Sequence, residues 1–130
     1  MDKELFDLCK QVYEKTRWDE QPSAKLYLEK YYYNDKDNLT NAVVEKYKTL
    51  YEQFVCPVYS SDYLLDKLPT KLKDKNQVIT AWLSMDNLGD DGWQYSYRPG
   101  PATPILKALS DTPLKALLLL TLALSEAGEL

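Results

Sequence analysis

Catalysis needs particular side chains within reach of one another, and this chain of 130 residues contains no histidine. The commonest general base, the commonest imidazole metal ligand and the side chain that titrates nearest neutrality are therefore missing together. Nucleophilic chemistry would fall to Cys9, Cys56, Ser60 or Ser61, each of which would need some other base beside it. Cys9 lies on the apolar stripe of a predicted helix and Cys56 precedes Pro57 at the end of another, positions where a free thiol serves as a small hydrophobe. The best metal candidate is the trio Asp86, Asp90 and Asp91, since carboxylate oxygens suit a hard divalent cation and, with it, hydrolysis or phosphoryl chemistry. The trio does not fit an EF-hand: with Gly92 as the sixth position, the third is Gly89 and the twelfth Arg98, where that loop wants oxygen ligands. A turn rich in Asp and Gly accounts for the same residues. No Gly-rich phosphate loop and no Cys-x-x-Cys pair occurs, so no catalytic set assembles and no cofactor is expected.

What the chain has in excess is tyrosine, 11 in all. Tyr31, Tyr32 and Tyr33 stand consecutively, and Trp93, Tyr95 and Tyr97 alternate along one predicted strand. Tyr and Trp supply large contact area at low entropic cost and are enriched at protein interfaces. They also stack on bases. The 93–97 rings have a second explanation, because strands favour aromatics in their own packing. Three consecutive strand residues cannot all face one way, so the 31–33 rings cannot all enter one core. Both groups are candidate interface residues.

The elements that must position these residues follow from periodicity. Leu5, Phe6, Leu8, Cys9, Val12 and Tyr13 repeat at helical spacing to about Thr16, with Asp2 as a cap. Residues 25–33 fit either period, and their tyrosines favour a strand. Val43, Val44, Tyr47, Leu50, Tyr51 and Phe54 predict a helix over Thr40–Phe54. Ser60 and Ser61 cap a short turn closed by Pro69, and Lys71 to Lys75 reads as a solvated link. Alternation from Gln77 to Met85 and from Trp93 to Arg98, around Asn87 to Gly92, predicts a β-hairpin over 77–98. Thr103-Pro104 and Thr112-Pro113 each place a cap residue before Pro, so both predict a helix start. The second of these helices, Leu114 to about Ala127, is apolar nearly all round and ends before Gly128, which predicts a place at the centre of the core.

The bulk numbers set the class. Apolar content of 45% and charged content of 28% are those of an ordinary globular chain, and the length predicts one domain over 1–130. The fold class expected is α+β: a single domain with a small antiparallel sheet, containing the 77–98 hairpin, packed against three or more helices. The net charge of −4 argues against binding a phosphate backbone, so no nucleic acid is expected. Met1 is followed at once by Asp2, Lys3 and Glu4, with no apolar leader, and only two cysteines occur. A reduced, cytoplasmic setting and no membrane association are the expectation.

The hairpin ending in Trp93-Gln-Tyr-Ser-Tyr97, the phrase Asp111-Thr-Pro-Leu-Lys-Ala-Leu117 before a terminal helix, and Tyr59-Ser-Ser-Asp-Tyr-Leu-Leu-Asp-Lys-Leu-Pro69 resemble small uncharacterised phage and prophage proteins, including those of the phage α-β-α sandwich type. The resemblance covers about the last 70 residues and carries no catalytic residues with it. It implies origin on a mobile element, where small acidic proteins act by binding host machinery. The sequence therefore leads to a non-enzymatic protein-binding module, a modulator of a host or defence protein. Small-ligand or nucleotide capture and an Asp-dependent metal enzyme are the alternatives, and a homodimer through the 93–97 strand stays open.

Overall fold

The computed structural model describes residues 3–19, 30–33, 42–45, 54–73, 80–100 and 104–130, the side chains of 30–33, 42–45, 54 and 55 excepted. The elements run α1 (Lys3–Thr16), β1 (Lys30–Tyr33), β2 (Ala42–Glu45), β3 (Phe54–Pro57), α2 (Ser61–Lys67), β4 (Lys71–Lys73), β5 (Thr80–Asn87), β6 (Trp93–Arg98), β7 (Leu106–Ser110) and α3 (Pro113–Glu126). The chain is α+β, with three α-helices and antiparallel pairing throughout the strands among the described residues. It divides into two compact units, Met1–Tyr63 and Leu64–Leu130.

In the first unit α1 packs against β3, burying Phe6, Leu8, Cys9 and Val12 as its apolar stripe requires. Its C-terminal turn closes without a glycine. Arg17 takes the left-handed conformation at φ 58°, its N–H reaches the Tyr13 carbonyl at 2.8 Å, and its guanidinium lies 5.3 Å from the Tyr13 ring centre. That cation–π contact helps offset a backbone position that a side chain disfavours. Asp2, the expected cap, lies outside the described residues. Beside the helix is a three-stranded sheet in the order β2-β1-β3.

This sheet corrects the helix expected over Thr40–Phe54 at 42–45 and at Phe54; residues 40, 41 and 46–53 lie outside the described residues. Ala42–Glu45 is a strand whose Val43 and Val44 stand opposite Tyr32 and Tyr31, and Phe54 opens β3 on the other side of β1. Helical spacing of apolar residues was present, but Val is β-branched and stiff in a helix, and pairing across β1 satisfies the strand backbone instead. Of the strand favoured over 25–33, Lys30–Tyr33 is strand β1, and 25–29 lie outside the described residues.

The second unit is a four-stranded meander, β4-β5-β6-β7, with α3 packed along β6 and β7. The expected hairpin is its centre: Trp82 pairs Arg98, Ser84 pairs Ser96 and Asn87 pairs Trp93. Its turn is tight. Gly92 adopts φ 99° and lies so close to the Ser110 carbonyl that a Cβ there would collide with it, while the Leu88 N–H reaches the Gly92 carbonyl at 2.8 Å. Helix α3 begins as expected, with Thr112 Oγ1 accepting from the Lys115 N–H at 3.2 Å and Pro113 in the first turn. Ala116, Leu117, Leu118, Leu120, Thr121 and Leu124 are fully buried, each large aliphatic side chain contributing about 1.5–3 kcal/mol of transfer free energy.

Two expectations fail here. The helix start at Thr103-Pro104 does not propagate, because Leu106–Ser110 pairs with Trp93–Tyr97 as strand β7. The open edge of β6 offers a full ladder of backbone partners, and that outweighs a favourable local helix start. Lys71–Lys73 is likewise strand β4 rather than a solvated link: Leu72 is buried opposite Ala81 while Lys71 and Lys73 face solvent. Among the described residues no helix is long and apolar enough to cross a membrane.

Candidate functional site

The pleat of the second sheet sorts its side chains onto two faces. One carries Leu72, Ala81, Leu83, Tyr95, Tyr97, Leu106 and Ala108, placed side by side by the strand register. Here Leu72, Ala81, Tyr95 and Tyr97 are buried. The other face carries the pair Lys73–Thr80 and then three rows of three: Lys71–Trp82–Arg98, Ser84–Ser96–Lys107 and Asp86–Gln94–Leu109. This face is open on β5 and β7, with Trp82 56% and Leu109 49% exposed.

Trp82 stands in the middle of the first row, and its ring is flanked by charge. Lys71 Nζ lies 5.7 Å from the ring centre, while Arg98 is the cross-strand neighbour on the other side. Arg98 is fixed in turn: its Nε donates to Ser96 Oγ at 3.1 Å, and its terminal nitrogen lies 3.4 Å from Asp86 Oδ2, with both side chains partly exposed. An ion pair so exposed adds little stability; its consequence is to hold the guanidinium beside Ser96 and Asp86. Ser84 and Ser96 hydroxyls meet at 3.2 Å. Trp82, Ser84, Asp86, Arg98 and Gly100 line a shallow pocket of about 390 Å³, near the lower end of small-molecule sites. The arrangement can stack a planar or apolar group on the indole and meet negative charge with Lys71 and Arg98.

The sequence candidates fall in several places. Tyr97 is fully buried and its hydroxyl donates to the Pro69 carbonyl at 2.7 Å; burial pushes its phenol up to about 12. Tyr95 is 6% exposed, and burial raises its phenol too. These two rings are core, so of the three candidate aromatics on β6 only Trp93, which is half-buried, is left as a contact residue. Tyr31, Tyr32 and Tyr33 form β1, the central strand of its sheet, and their side chains lie outside the described residues. Asp86 sits in β5, whereas Asp90 and Asp91 lie in the exposed 3-10 turn after it. Among the described residues no three Cys, Asp or Glu side chains gather as a metal site requires.

The cysteines are both free and buried. Burial pushes the Cys9 thiol up to about 11 and that of Cys56 higher still, with the nearby Cys9 adding to the rise. Near neutrality both are protonated and weak nucleophiles. Tyr59 beside them is buried; its hydroxyl donates to the Trp18 carbonyl at 2.5 Å and its ring lies 5.5 Å from that of Tyr63.

Sequence reasoning did not select Trp82, Lys71, Arg98 or Leu109. One signal could have found Trp82: it occupies the phase of its strand shared with Thr80 and Ser84, opposite to Ala81 and Leu83. A large ring among polar neighbours on the solvent phase is unusual packing. Compared with known protein families, curated proteins and solved structures, the chain has no match.

Proposed function

We propose that the protein is a non-enzymatic protein-binding module and that the open face of its second sheet, centred on Trp82, is the docking surface. The observation that carries the reading is the 56% exposure of Trp82 in a row between Lys71 and Arg98. Trp and Arg dominate the energetics of protein interfaces, where an exposed ring becomes buried on contact. The residues that could do covalent chemistry point the same way: the described thiols are buried and protonated, and the three candidate aspartates are spread between a strand and a turn. The likeness of the C-terminal part to phage proteins adds that the partner is a host or defence protein.

Affinity capture from cells that produce the protein, run in parallel with wild type, Trp82→Ala and Tyr31/Tyr32/Tyr33→Ala, tests this. Proteins retained by wild type and lost with Trp82→Ala are expected. Identical retention by wild type and Trp82→Ala would assign binding elsewhere, and loss only in the triple variant would move the surface to β1. A second reading, capture of a nucleotide or other planar small ligand without turnover, is favoured by the roughly 390 Å³ pocket with Trp82 and Asp86 in its wall. A thermal-shift screen with nucleotides separates it, since only that reading expects a shift that Trp82→Ala abolishes.

A further inference from the structure

Net charge hides how this chain distributes its cations. Among the described residues, the open face of the second sheet holds Lys71, Lys73, Arg98 and Lys107, and its single carboxylate, Asp86, is set against Arg98 at 3.4 Å. Four cations against one acid leave this face with a formal surplus of three (4 − 1) in a chain whose total is −4. On the same surface stand two exposed apolar side chains, Trp82 on the inner strand β5 and Leu109 on the edge strand β7. They are two strands and two cross-strand rows apart, a diagonal of roughly 16 Å from ordinary sheet spacings. That diagonal is within side-chain reach of about four residues of extended chain, an even spacing that keeps both side chains on one face.

We infer that this face takes an extended acidic segment of a partner protein, with apolar side chains about four residues apart seated on Trp82 and Leu109, carboxylates between them facing Arg98 and Lys107, and a carboxylate beyond the Trp82 end facing Lys71. The inference rests on the protein-binding reading above and adds the chemistry of the partner. Charge complementarity gives the sign of the partner, and the two exposed apolar side chains give its pattern. A single-stranded nucleic acid shares the negative charge but fits less well. Such ligands use successive stacking rings, whereas this face offers one, with Trp93, Tyr95 and Tyr97 in the opposite phase of β6. A surplus of three charges would also release few counterions from a phosphate backbone.

The test is fluorescence anisotropy of the whole chain with three labelled probes of equal length: a Glu-rich peptide with two Leu residues about four apart, its Lys-for-Glu counterpart, and oligo-dT. The Glu peptide is expected to bind best, at least ~10-fold more weakly to Trp82→Ala, and with affinity that falls as NaCl rises from ~50 to ~300 mM. Lys107→Glu lies at an exposed position, so its folding is not at risk, and it should weaken the Glu peptide while strengthening the Lys peptide. Absence of Glu-peptide binding, indifference to Lys107→Glu, or tighter binding of oligo-dT would each overturn the inference, the last assigning the face to nucleic acid. The two readings fail separately. If captured proteins depend on Trp82 but are neither displaced by the Glu peptide nor lost with Lys107→Glu, the acidic segment is wrong and protein docking stands; if nothing captured depends on Trp82, docking on this face falls as well.

Discussion

Removing one buried hydroxyl, by Tyr97→Phe, probes both the packing of the second unit and its response to alkali. The phenol is fully buried and donates to the Pro69 carbonyl at 2.7 Å, tying the chain just before β4 to the strand two places across the sheet. Phe keeps the ring against Leu83 and Leu106, its cross-strand neighbours, so the change isolates the hydrogen bond. Loss of such a bond, with the acceptor left unsatisfied, costs about 1–2 kcal/mol at neutral pH. In a unit of this size that lowers the melting midpoint by roughly 5–15 °C. The hydroxyl also titrates. Its folded-state value is pushed up from 10.0 to about 12, so below pH 10 the phenol is neutral in both states and the bond contributes fully. As pH climbs from 10 toward 12 the unfolded chain ionises first, and the wild type loses stability that Phe cannot lose. The gap between wild type and Tyr97→Phe should therefore narrow across that window. Urea titrations followed by circular dichroism at pH 7 and through the alkaline range measure both quantities. A variant within ~0.3 kcal/mol of wild type at pH 7 would refute the hydrogen-bond account, and a gap constant with pH would refute the linkage.

Other outcomes follow from single contacts. Gly92→Ala should destabilise by about 2–3 kcal/mol, because the new Cβ meets the Ser110 carbonyl at a φ of 99°; a melt unchanged from wild type would contradict the turn geometry. Leu72→Ser should cost about 2–3 kcal/mol while Lys73→Ser stays within about 0.5, the contrast expected of a buried and an exposed position on one strand, read by denaturant midpoint. Thr112→Ala removes the side-chain acceptor that caps α3 and should cost about 1 kcal/mol in the same assay, with Thr112→Ser near wild type. Thiol-specific labelling of the folded chain should be slow at pH 7 for both cysteines, since each is buried and the Cys9 thiol is raised to about 11; it should quicken on unfolding, and rapid labelling of folded protein would show that the thiols are reachable.

Sequence patterning located the elements whose signals are local and mutually consistent. The α1 stripe, the 93–98 alternation, the Asp- and Gly-bearing turn and the Thr112-Pro113 start of α3 all appear where the residues put them, because period, turn chemistry and capping agree there. The candidate site was scarcely legible. Its four cations and its ring come from β4, β5, β6 and β7, scattered from Lys71 to Leu109 in the chain, and only strand register makes them neighbours.

The tyrosine surplus is instructive in the same way. Tyr59, Tyr63 and Tyr97 are fully buried, and the Tyr59 and Tyr97 hydroxyls are tied to backbone carbonyls; count alone could not distinguish such rings from a contact surface. What the sequence by itself determined is chemical: no imidazole, no assembled nucleophile, two thiols on apolar positions, and a helix and hairpin wherever local signals agreed. Tertiary structure alone decided between strand and helix where local signals were strong but partners were available. Residues 103–109 read Thr-Pro-Ile-Leu-Lys-Ala-Leu and residues 112–117 read Thr-Pro-Leu-Lys-Ala-Leu, yet the first phrase runs into β7 and the second opens α3. The difference is the free edge of β6, whose unpaired backbone groups exist only once the hairpin has folded, and whose satisfaction outweighs the propensity the two phrases share.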